Sequence, residues 1–534
     1  MATLEVAGQT PFRSRAKDGV DLKEAIRTNT PLRENNTYIV TKNIDLKGEH
    51  LYLPHGCIVE FKGGKIVNGI VSFDSVFIKG TPKFRNSNYE GHIFIESIDD
   101  RCFESKDDTQ AFIFLMSNAI ENGIRCDFYR DYRISMKEAS GTHGLISFQG
   151  LDSGAELLFH GNTIYNSYPF SSATIKPVIT FRNVKDVTFR NCRFHDVDEH
   201  NTHHFKESAG CTFIHCYGDS EGINLIDCSQ ENGDCILRSG VWVHDTKRPD
   251  DTPSRGLYNS TIKVNSNNVG YGLALYCGDS LDLDVTVSNP HRGFYCTGVS
   301  NSKIRYEGFN PVETKCHILI KDAVCRRIDA SGNEVLDMKG CDHLDINAVV
   351  EEIQPNESVV LFQSYGSGLK EGADFRFRSD KCHHHDINFT AKMRLFPESG
   401  HVIICGFLPD SGAQDESDMY GCMVSGLLIH DILNHGGTVY RYLCNIGKYT
   451  EVYAQIKDCG IDDSQRDGKA YNIQVIGNAK GNLNVINSVL GGILVREKNK
   501  VFFDLELDQT SVVKSGFNYI SDGTNRAFVR LSQK

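Results

Sequence analysis

Short apolar runs with polar bends between them fill the sequence from about residue 145 to its end. In each run, apolar and polar residues alternate over about four to six positions, and Asn, Gly, Asp or Ser marks the bend, as in β-strands joined by tight turns. No amphipathic helix separates the runs, which argues against a doubly wound sheet or a (β/α) barrel. The pattern predicts an all-β fold over this part of the chain.

The runs also repeat at a nearly constant spacing. Aligning Gly272 with Gly293, and Ser260 with Ser280 and Ser302, gives a period of roughly 20 to 22 residues, within the range of solenoid repeats. An antiparallel sandwich would explain the strands but not the period. We therefore predict a single-stranded parallel β-helix, with a groove along the repeat axis that suits an extended carbohydrate by analogy with folds of this kind.

Charge and composition limit the partners. The chain has 534 residues and a net charge of −12, which argues against nucleic acid as a partner because phosphate binding needs a clustered basic surface. An anionic saccharide needs only a local basic patch. No apolar run is long enough to cross a bilayer, and the first residues lack the apolar core of a signal peptide. The 18 cysteines include no CxxC pair and are expected to be small buried hydrophobes rather than metal ligands.

The N-terminal quarter has its own pattern. Residues 37–80 contain TYIV, HLYLPHGCIVEFKGGKIVNG and IVSFDSVFIKG, which predict short strands. The run DDTQAFIFLMSNAIENG predicts a helix with Asp107 or Asp108 as its cap and Gly123 at its end. We divide the chain into an N-terminal β-rich segment with one capping helix, residues 1–135, and the parallel β-helix with a catalytic groove and the C-terminal end, residues 136–534.

The segment LPHGCIVEFKGGKIVNG, followed by a helix that begins with DDT, resembles the start of pectate-lyase-like right-handed parallel β-helix proteins. The resemblance implies a right-handed coil. It also suggests polysaccharide lyases of gut bacteria that act on glycosaminoglycans.

A second resemblance falls between Asp219 and Gly298. The motifs SEGINLIDC, NGDCILRSG, GYGLALYCG and PHRGFYCTG resemble the successive active-site coils of the polygalacturonase family, which carry Asn-Thr-Asp-Gly, Gly-Asp-Asp-Cys, Gly-His-Gly and Arg-Ile-Lys. Here Glu221 stands at the first Asp position, Asp234 keeps one Asp of the pair, Tyr271 replaces the His, and Arg292 approximates the Arg, while the Lys is missing. The resemblance implies inverting hydrolysis by Glu221 and Asp234, whose carboxyl groups would then stand about 6.5 to 9.5 Å apart. The alternative is that both acids end strands at solvated turns.

The altered residues favour a different reaction, β-elimination from a uronic acid. This reaction needs a cation on the substrate carboxylate, a base for the C5 proton and an acid for the leaving oxygen. We predict Arg292 and Arg238 on the carboxylate, His291 or His204 as base, and Tyr271 as acid. Taken alone, each of these side chains is explained equally well by a position at the surface or in a turn as by a catalytic role.

Other basic residues are predicted to bind the substrate, and two clusters raise the question of metals. The predicted binding residues are His203, His244, Lys315, Arg376, Arg378 and Lys381. His200, His203 and His204 of the HNTHH run could hold a metal, but solvated loop histidines are the simpler explanation, and no metal site is predicted. Asp279, Asp282 and Asp284 resemble a calcium-binding series, so calcium is kept as a possible cofactor.

The sequence therefore predicts a polysaccharide lyase that cleaves a uronate-containing polymer, first a glycosaminoglycan such as chondroitin or hyaluronan and second a pectic polymer. A polygalacturonase-like hydrolase and a non-catalytic glycan-binding β-helix, such as a tailspike or adhesin, are the alternatives. A polymeric substrate implies a periplasmic or extracellular location, with a leader absent from this sequence. The sequence does not indicate an oligomeric state.

Overall fold

The computed structural model describes most of the chain up to residue 309 and mainly strands beyond it. The described residues are 19–139, 143–169, 175–200, 210–240, 256–276, 278–297, 299–309, 316–322, 325–328, 334–338, 342–351, 359–366, 375–376, 384–392, 402–409, 423–430, 440–446, 451–457, 473–476, 480–490, 493–497, 501–509, 512–513, 517–521 and 527–533. Contacts divide the chain into two compact units, Met1–Ile134 with Ser153–Asn162, and Ser135–Asp152 with Thr163–Lys534. The predicted domains 1–135 and 136–534 stay a prediction.

The first unit is built on parallel strands. A six-stranded sheet has the order Val20–Asp21, Thr37–Val40, Ile58–Phe61, Ile70–Gly80 and His50–Leu53, with Asn88–Phe94 also paired to Ile70–Gly80. A three-stranded sheet joins Ile44–Asp45, Ile66–Val67 and Phe84–Arg85. The remaining strands of this unit are Ser97–Asp99, Arg125–Asp127, Tyr132–Ile134 and Asp152–Leu158, and a 3-10 helix spans Asp100–Cys102.

The predicted helix is confirmed as α-helix Asp108–Asn122. The Asp107 side chain accepts hydrogen bonds from the backbone N–H groups of Thr109, at 2.9 Å, and Gln110, at 3.2 Å. Gly123 ends the helix with a φ of 63°, the left-handed conformation that glycine adopts most easily. The prediction of one helix is wrong, because a shorter α-helix, Leu22–Arg27, begins after Asp21, whose carboxylate caps it.

The second unit consists mainly of two long parallel sheets that the chain visits in alternation. The strands of the first sheet in this unit are Thr163–Asn166, Lys185–Arg190, Arg193–His195, Asp219–Glu231, Gly256–Tyr258, Thr261–Asn267, Gly278–Asp279, Asp282–Ser288, Val299–Phe309, Asp342–Glu351, His384–Lys392, Met423–His430, Glu451–Lys457, Lys480–Ile486, Val501–Leu507 and Ala527–Gln533. Those of the second sheet are Ile146–Gln149, Ile175–Arg182, Gly210–Tyr217, Cys235–Ser239, Tyr271–Leu275, Arg292–Thr297, Cys316–Asp322, Val359–Gly366, Val402–Pro409, Tyr440–Ile446, Ile473–Ile476, Ile493–Glu497 and Phe517–Ser521. The prediction of a β fold with parallel strands is confirmed.

Smaller elements complete this unit. Strand Cys325–Ile328 pairs antiparallel with Glu334–Met338 and with Phe375–Arg376, an arrangement that the sequence pattern did not predict. Strands Val489–Leu490 and Val512–Val513 pair in parallel. A 3-10 helix spans Asp198–His200. In the part of the chain that the structure describes, no helix is both long and apolar enough to span a membrane.

The predicted repeat is correct at one position and shifted at another. Tyr271 is the Cα partner of Arg292, so Gly272 and Gly293 occupy equivalent positions, as aligned. Thr261 is the partner of Asp282, which places Ser260 opposite Leu281 rather than Ser280. Ser302 reaches this position too, because its Oγ accepts a hydrogen bond from the backbone N–H of Leu281 at 3.1 Å. Ser280 is instead the counterpart of Asn259 and Asn301, which occupy the same bend with similar φ values of 46° and 48°, beside 56° at Ser280.

Buried aliphatic and aromatic side chains fill the space inside each unit. In the first unit Phe73, Phe84, Tyr89, Phe103 and Phe114 form one aromatic cluster with ring centroids 5.3 to 5.8 Å apart. Four of the cysteines predicted to be small buried hydrophobes lie among the described residues of the second unit, and all four are buried: Cys192, Cys216, Cys228 and Cys296. Burial raises the pKa of the Cys228 thiol to about 12, which keeps this thiol neutral.

Candidate active site on four successive coils

Tyr271 and Arg292 begin neighbouring strands of the second long sheet. They are Cα partners, and both side chains are partly buried. The guanidinium carbon of Arg292 lies 5.8 Å from the centre of the Tyr271 ring, and its Nη1 lies 3.5 Å from the phenol oxygen. His291, the predicted base, precedes Arg292 directly, and its backbone N–H donates to the carbonyl of Val269 at 2.9 Å. The structure therefore brings three predicted catalytic residues to one corner of the coil.

Asp234 and Arg238 form a buried ion pair on the preceding coil. Arg238 Nη2 lies 2.8 Å from both carboxylate oxygens of Asp234, and Nε lies 3.1 Å from Oδ2. Asp234 is fully buried and Arg238 is 9% exposed. Burial disfavours the guanidinium charge, but the neighbouring Asp234 carboxylate outweighs this effect and holds the pKa of Arg238 above its usual range. Both predicted residues are thus present at the corner, but each is bound to the other.

Two tyrosines that the sequence analysis did not select surround this ion pair. Arg238 Nη1 donates to the phenol oxygen of Tyr276 at 2.9 Å, and the Arg238 guanidinium carbon lies 5.5 Å from the Tyr271 ring centre. Tyr276 and Tyr295 pack with Cys235 and Ala274 in a buried cluster, and Tyr271 packs against it. Burial raises the pKa of Tyr276 to about 12, although Arg238 acts in the opposite direction. Both tyrosines stand in the motifs GYGLALYCG and PHRGFYCTG, so a search for aromatic residues in the aligned coils could have found them.

A buried carboxylate–imidazole pair stands one coil earlier. His200 Nδ1 lies 2.7 Å from Asp196 Oδ2, and both side chains are inaccessible to solvent. Asp196 also accepts from the Asn166 side chain and from the backbone N–H of Cys211, each at 2.7 Å. Burial raises the pKa of Asp196, but the His200 hydrogen bond and these other bonds outweigh burial and lower it overall. The HNTHH run indicates a solvated loop histidine or a metal ligand at His200, whereas the buried pair with Asp196 has no sequence signature.

Backbone hydrogen bonds stack these groups. The Gly233 N–H donates to the His200 carbonyl, Gly270 N–H to Gly233, and Arg292 N–H to Gly270, at 3.1, 2.8 and 2.8 Å. Gly233 has a φ of 87°, and a Cβ there would lie 2.7 Å from Asp196 Oδ2 and 2.8 Å from the carbonyl oxygen of Cys211, so this position requires glycine. Four successive coils thus bring Asp196–His200, Asp234–Arg238, Tyr271 and Arg292 into one column.

Glu221 lies elsewhere. It belongs to strand Asp219–Glu231 of the first long sheet, where its carboxylate contacts Lys185 Nζ at 3.2 Å and Asn259 Nδ2 at 2.8 Å. Asp234 precedes strand Cys235–Ser239 of the second long sheet. The structure does not bring these two acids together as adjacent members of one column, and their catalytic roles stay a prediction.

The aspartates considered for calcium have protein partners. Arg305 bridges Asp282, at 3.2 Å, and Asp284, at 3.3 Å. Asp279 accepts from the side chains of Ser280, at 2.6 Å, and Asn301, at 3.0 Å. Within the described ranges, no group of three or more His, Cys, Asp or Glu residues is arranged to hold a metal ion. The calcium cofactor stays a prediction.

Several predicted site residues lie outside the described residues. They are His203, His204, His244, Lys315, Arg378 and Lys381. Arg376 belongs to the short strand Phe375–Arg376, where it is the backbone partner of Arg326. As a group, these residues stay predictions.

No known sequence family matches the chain. A search of curated proteins also finds no match. Among solved structures, the chain is similar to the catalytic domain of a GH87 alpha-1,3-glucanase in complex with nigerose, with 11% identity, a TM-score of 0.32, and coverage of 92% of this chain and 64% of that one.

Two further similarities are to the N-terminal fragment of bacteriophage Phi29 gene product 12 and to the Streptococcus pneumoniae surface protein and adhesin PfbA. The Phi29 fragment has 10% identity, a TM-score of 0.32, and coverage of 93% and 87% of the two chains. PfbA has 9% identity, a TM-score of 0.22, and coverage of 93% and 91%. The chain spans less than two thirds of the glucanase domain.

Proposed function

We propose that the protein is a right-handed parallel β-helix that cleaves an acidic, uronate-containing polysaccharide by β-elimination. The observation that carries the proposal is the Tyr271–Arg292 pair, in which a phenol and a guanidinium meet across adjacent strands at a partly open corner. The handedness is supported by the alternation between two parallel sheets, because crossovers between parallel strands are right-handed in nearly all proteins.

Each step of the elimination has a candidate group. Arg292 neutralises the uronate carboxylate, which makes the C5 proton more acidic. His291 takes that proton, the C5 electron pair forms the C4–C5 double bond, and the C4–O bond breaks. Tyr271 gives its phenol proton to the leaving glycosidic oxygen. Arg238 is removed from the carboxylate-binding role predicted for it, because Asp234 and Tyr276 already occupy its guanidinium.

The substrate class follows from charge. An acidic chain of net charge −12 needs a local cation to hold a polyanion, and Arg292 supplies one at this corner. We propose a glycosaminoglycan first and a pectic polymer second, with a periplasmic or extracellular location to match. Calcium is kept as a cofactor to be tested rather than as part of the mechanism.

The test is an elimination assay on the full chain. The protein is incubated with chondroitin, hyaluronan and polygalacturonate, with calcium and with a chelator, while ultraviolet absorbance of the unsaturated uronate and new reducing ends are both followed. We expect absorbance and reducing ends to rise together. Reducing ends without absorbance would contradict elimination and indicate hydrolysis.

A second candidate function is glycan binding without cleavage. The observation that favours it is the state of Asp234, a fully buried carboxylate engaged by Arg238, Thr212 and Cys235, which has no place for a water nucleophile. The same observation weakens the hydrolase with Glu221 and Asp234. Binding of the polysaccharides by isothermal calorimetry, with neither product signal, would favour this candidate over the lyase.

A further inference from the structure

We propose that Asp234, Arg238 and Tyr276 are positioning residues that fix the ring of Tyr271 for catalysis. The inference rests on the proposed function, because it concerns the phenol that would act as the acid. It also assigns Asp234, which family resemblance suggested as a catalytic carboxylate, to a different role.

The hydrogen bonds that the Asp234 carboxylate accepts all come from groups of the protein itself in the described part of the chain. Its Oδ2 accepts from Thr212 Oγ1 at 2.7 Å and from Cys235 Sγ at 3.2 Å, and both of its oxygens receive Arg238 Nη2 at 2.8 Å. The carboxylate has no exposed surface. A group that must bind water or a leaving oxygen needs a free lone pair in reach of substrate. Asp234 is therefore suited to hold Arg238 rather than to exchange protons.

Arg238 transmits this constraint to two tyrosines. Nε and Nη2 point to Asp234, while Nη1 donates to the Tyr276 phenol oxygen at 2.9 Å. The fork geometry of a guanidinium fixes these directions together, which a lysine ammonium does not. Arg238 thereby locks the orientation of Tyr276, and its cationic plane lies within 5.5 Å of the Tyr271 ring centre, at a distance typical of cation–π contacts.

Tyr271 is held from several sides. The guanidinium groups of Arg238 and Arg292 lie 5.5 and 5.8 Å from its ring centre. Tyr295 meets the ring edge to face at 6.4 Å and 79°, and also contacts Tyr276 at 5.2 Å. Misplacement of a catalytic group by about 1 Å can cost roughly 10²-fold in rate. Loosening Arg238 should therefore slow the chemical step more than it weakens substrate binding.

The decisive variant removes the ion pair as a unit, with Asp234→Leu and Arg238→Met. Replacing both partners of a buried pair with apolar residues is often neutral for stability, whereas removing one partner leaves a buried charge unpaired. We expect the double variant to keep its circular dichroism spectrum, to change KM by less than about 3-fold, and to lose about 10²-fold in kcat. Unchanged kcat in the folded double variant would overturn the proposal, as would a loss confined to KM.

Arg238→Lys is the second variant, because it keeps the buried cation beside Asp234 but cannot reach Asp234 and Tyr276 with one planar group. We expect the same fall in kcat, and wild-type kcat would contradict the proposal. Arg305→Ala is the control, since Arg305 is half exposed on the other long sheet and bridges only Asp282 and Asp284. It should leave kcat and KM unchanged.

A readout without turnover separates this inference from the proposed lyase activity. With 3-fluorotyrosine incorporated, the ¹⁹F resonance of residue 271 is assigned by its absence in Tyr271→Phe. We expect that resonance to shift and broaden in the Asp234→Leu, Arg238→Met variant and in Arg238→Lys, but not in Arg305→Ala. If the wild type shows no elimination, the proposed function fails while this resonance still tests the positioning. An unchanged Tyr271 resonance would refute the positioning.

Discussion

Arg292 places its guanidinium carbon 5.8 Å from the ring centre of Tyr271, 21 residues earlier in the sequence and directly adjacent in the sheet. Because the neighbouring Arg238 is tied to Asp234, Arg292 is the better placed of the two arginines to meet a substrate carboxylate.

Replacing Arg292 by Ala should lower kcat/KM for elimination by about 10²- to 10³-fold, because the charge that stabilises the developing carbanion is lost. The measurement is the initial rate of unsaturated uronate formation over a range of substrate concentrations. Arg305→Ala removes a comparable charge from the other long sheet and should keep the wild-type rate. Equal rates for Arg292→Ala and wild type would place the site elsewhere.

Tyr271→Phe should lower kcat by about 10²- to 10⁴-fold with little change in KM, because only the proton donor is removed while the ring remains in place. Tyr52→Phe is a matched control in the first unit, where Tyr52 is 55% exposed and donates to Asp74. If Tyr271→Phe turned over at the wild-type rate, another group would have to be the acid.

Asp196→Asn should lower the free energy of unfolding by about 1–3 kcal/mol at neutral pH, because a buried, charged hydrogen-bond acceptor is lost. The substitution should also make the free energy of unfolding less dependent on pH in the acid range. The pKa of Asp196 is lower in the folded protein than its usual value, so its contribution is present above about pH 4 and is lost as the pH falls through the folded pKa.

Urea unfolding of wild type and Asp196→Asn from about pH 5 to pH 3 measures this difference. Asp282→Asn is the control, since that exposed ion pair with Arg305 is expected to contribute less than about 1 kcal/mol. If the free energies of unfolding of wild type and Asp196→Asn changed equally with pH, the stabilising role of the Asp196 carboxylate would be contradicted.

Gly123→Ala should destabilise the first unit more than Gly154→Ala. Both glycines have positive φ, 63° and 76°, so each alanine carries a cost of about 1 kcal/mol for the left-handed conformation. Only at Gly123 would the new Cβ overlap a carbonyl oxygen, that of Ser153, whereas nothing lies within 4 Å of a Cβ at Gly154. Thermal unfolding of the two variants compares them, and equal melting temperatures would contradict the expected clash.

Removal of the cap at Asp107 by alanine should cost about 1 kcal/mol, since the N–H groups of Thr109 and Gln110 lose their acceptor. Asp107→Asn retains an acceptor and should stay close to wild type. Urea unfolding followed by circular dichroism distinguishes the two, and an equal loss in both variants would point to charge rather than capping.

Local patterns in the sequence predict what is local in the structure. The helix after Asp107 and the 21-residue equivalence of Gly272 with Gly293 follow from capping residues and alternating strands, which need no knowledge of distant contacts. The corner of Tyr271 and Arg292 was predictable because the repeat brings them together.

The sequence does not predict which side chains of the column pair with each other. Asp234 could have faced a substrate or Arg238, and only the closed stacking of the coils decides this. The Asp196–His200 pair is four residues apart, and its proximity depends on the short 3-10 helix Asp198–His200 that follows strand Arg193–His195. The alignment of Ser280 with Ser260 is wrong by one residue because residue identity does not show that Ser280 takes the bend position held by Asn259 and Asn301 in the neighbouring coils.

The regular spacing between Thr261 and Phe309 has a consequence for how such a chain can change over time. Each position on one turn has its counterpart 21 residues later, as in the bond from Leu281 to Ser302. A duplication or loss of one such unit would rejoin matching strand ends without disturbing the pairing on either side. The protein could thus lengthen its surface in whole turns while Tyr271 and Arg292 keep their neighbours.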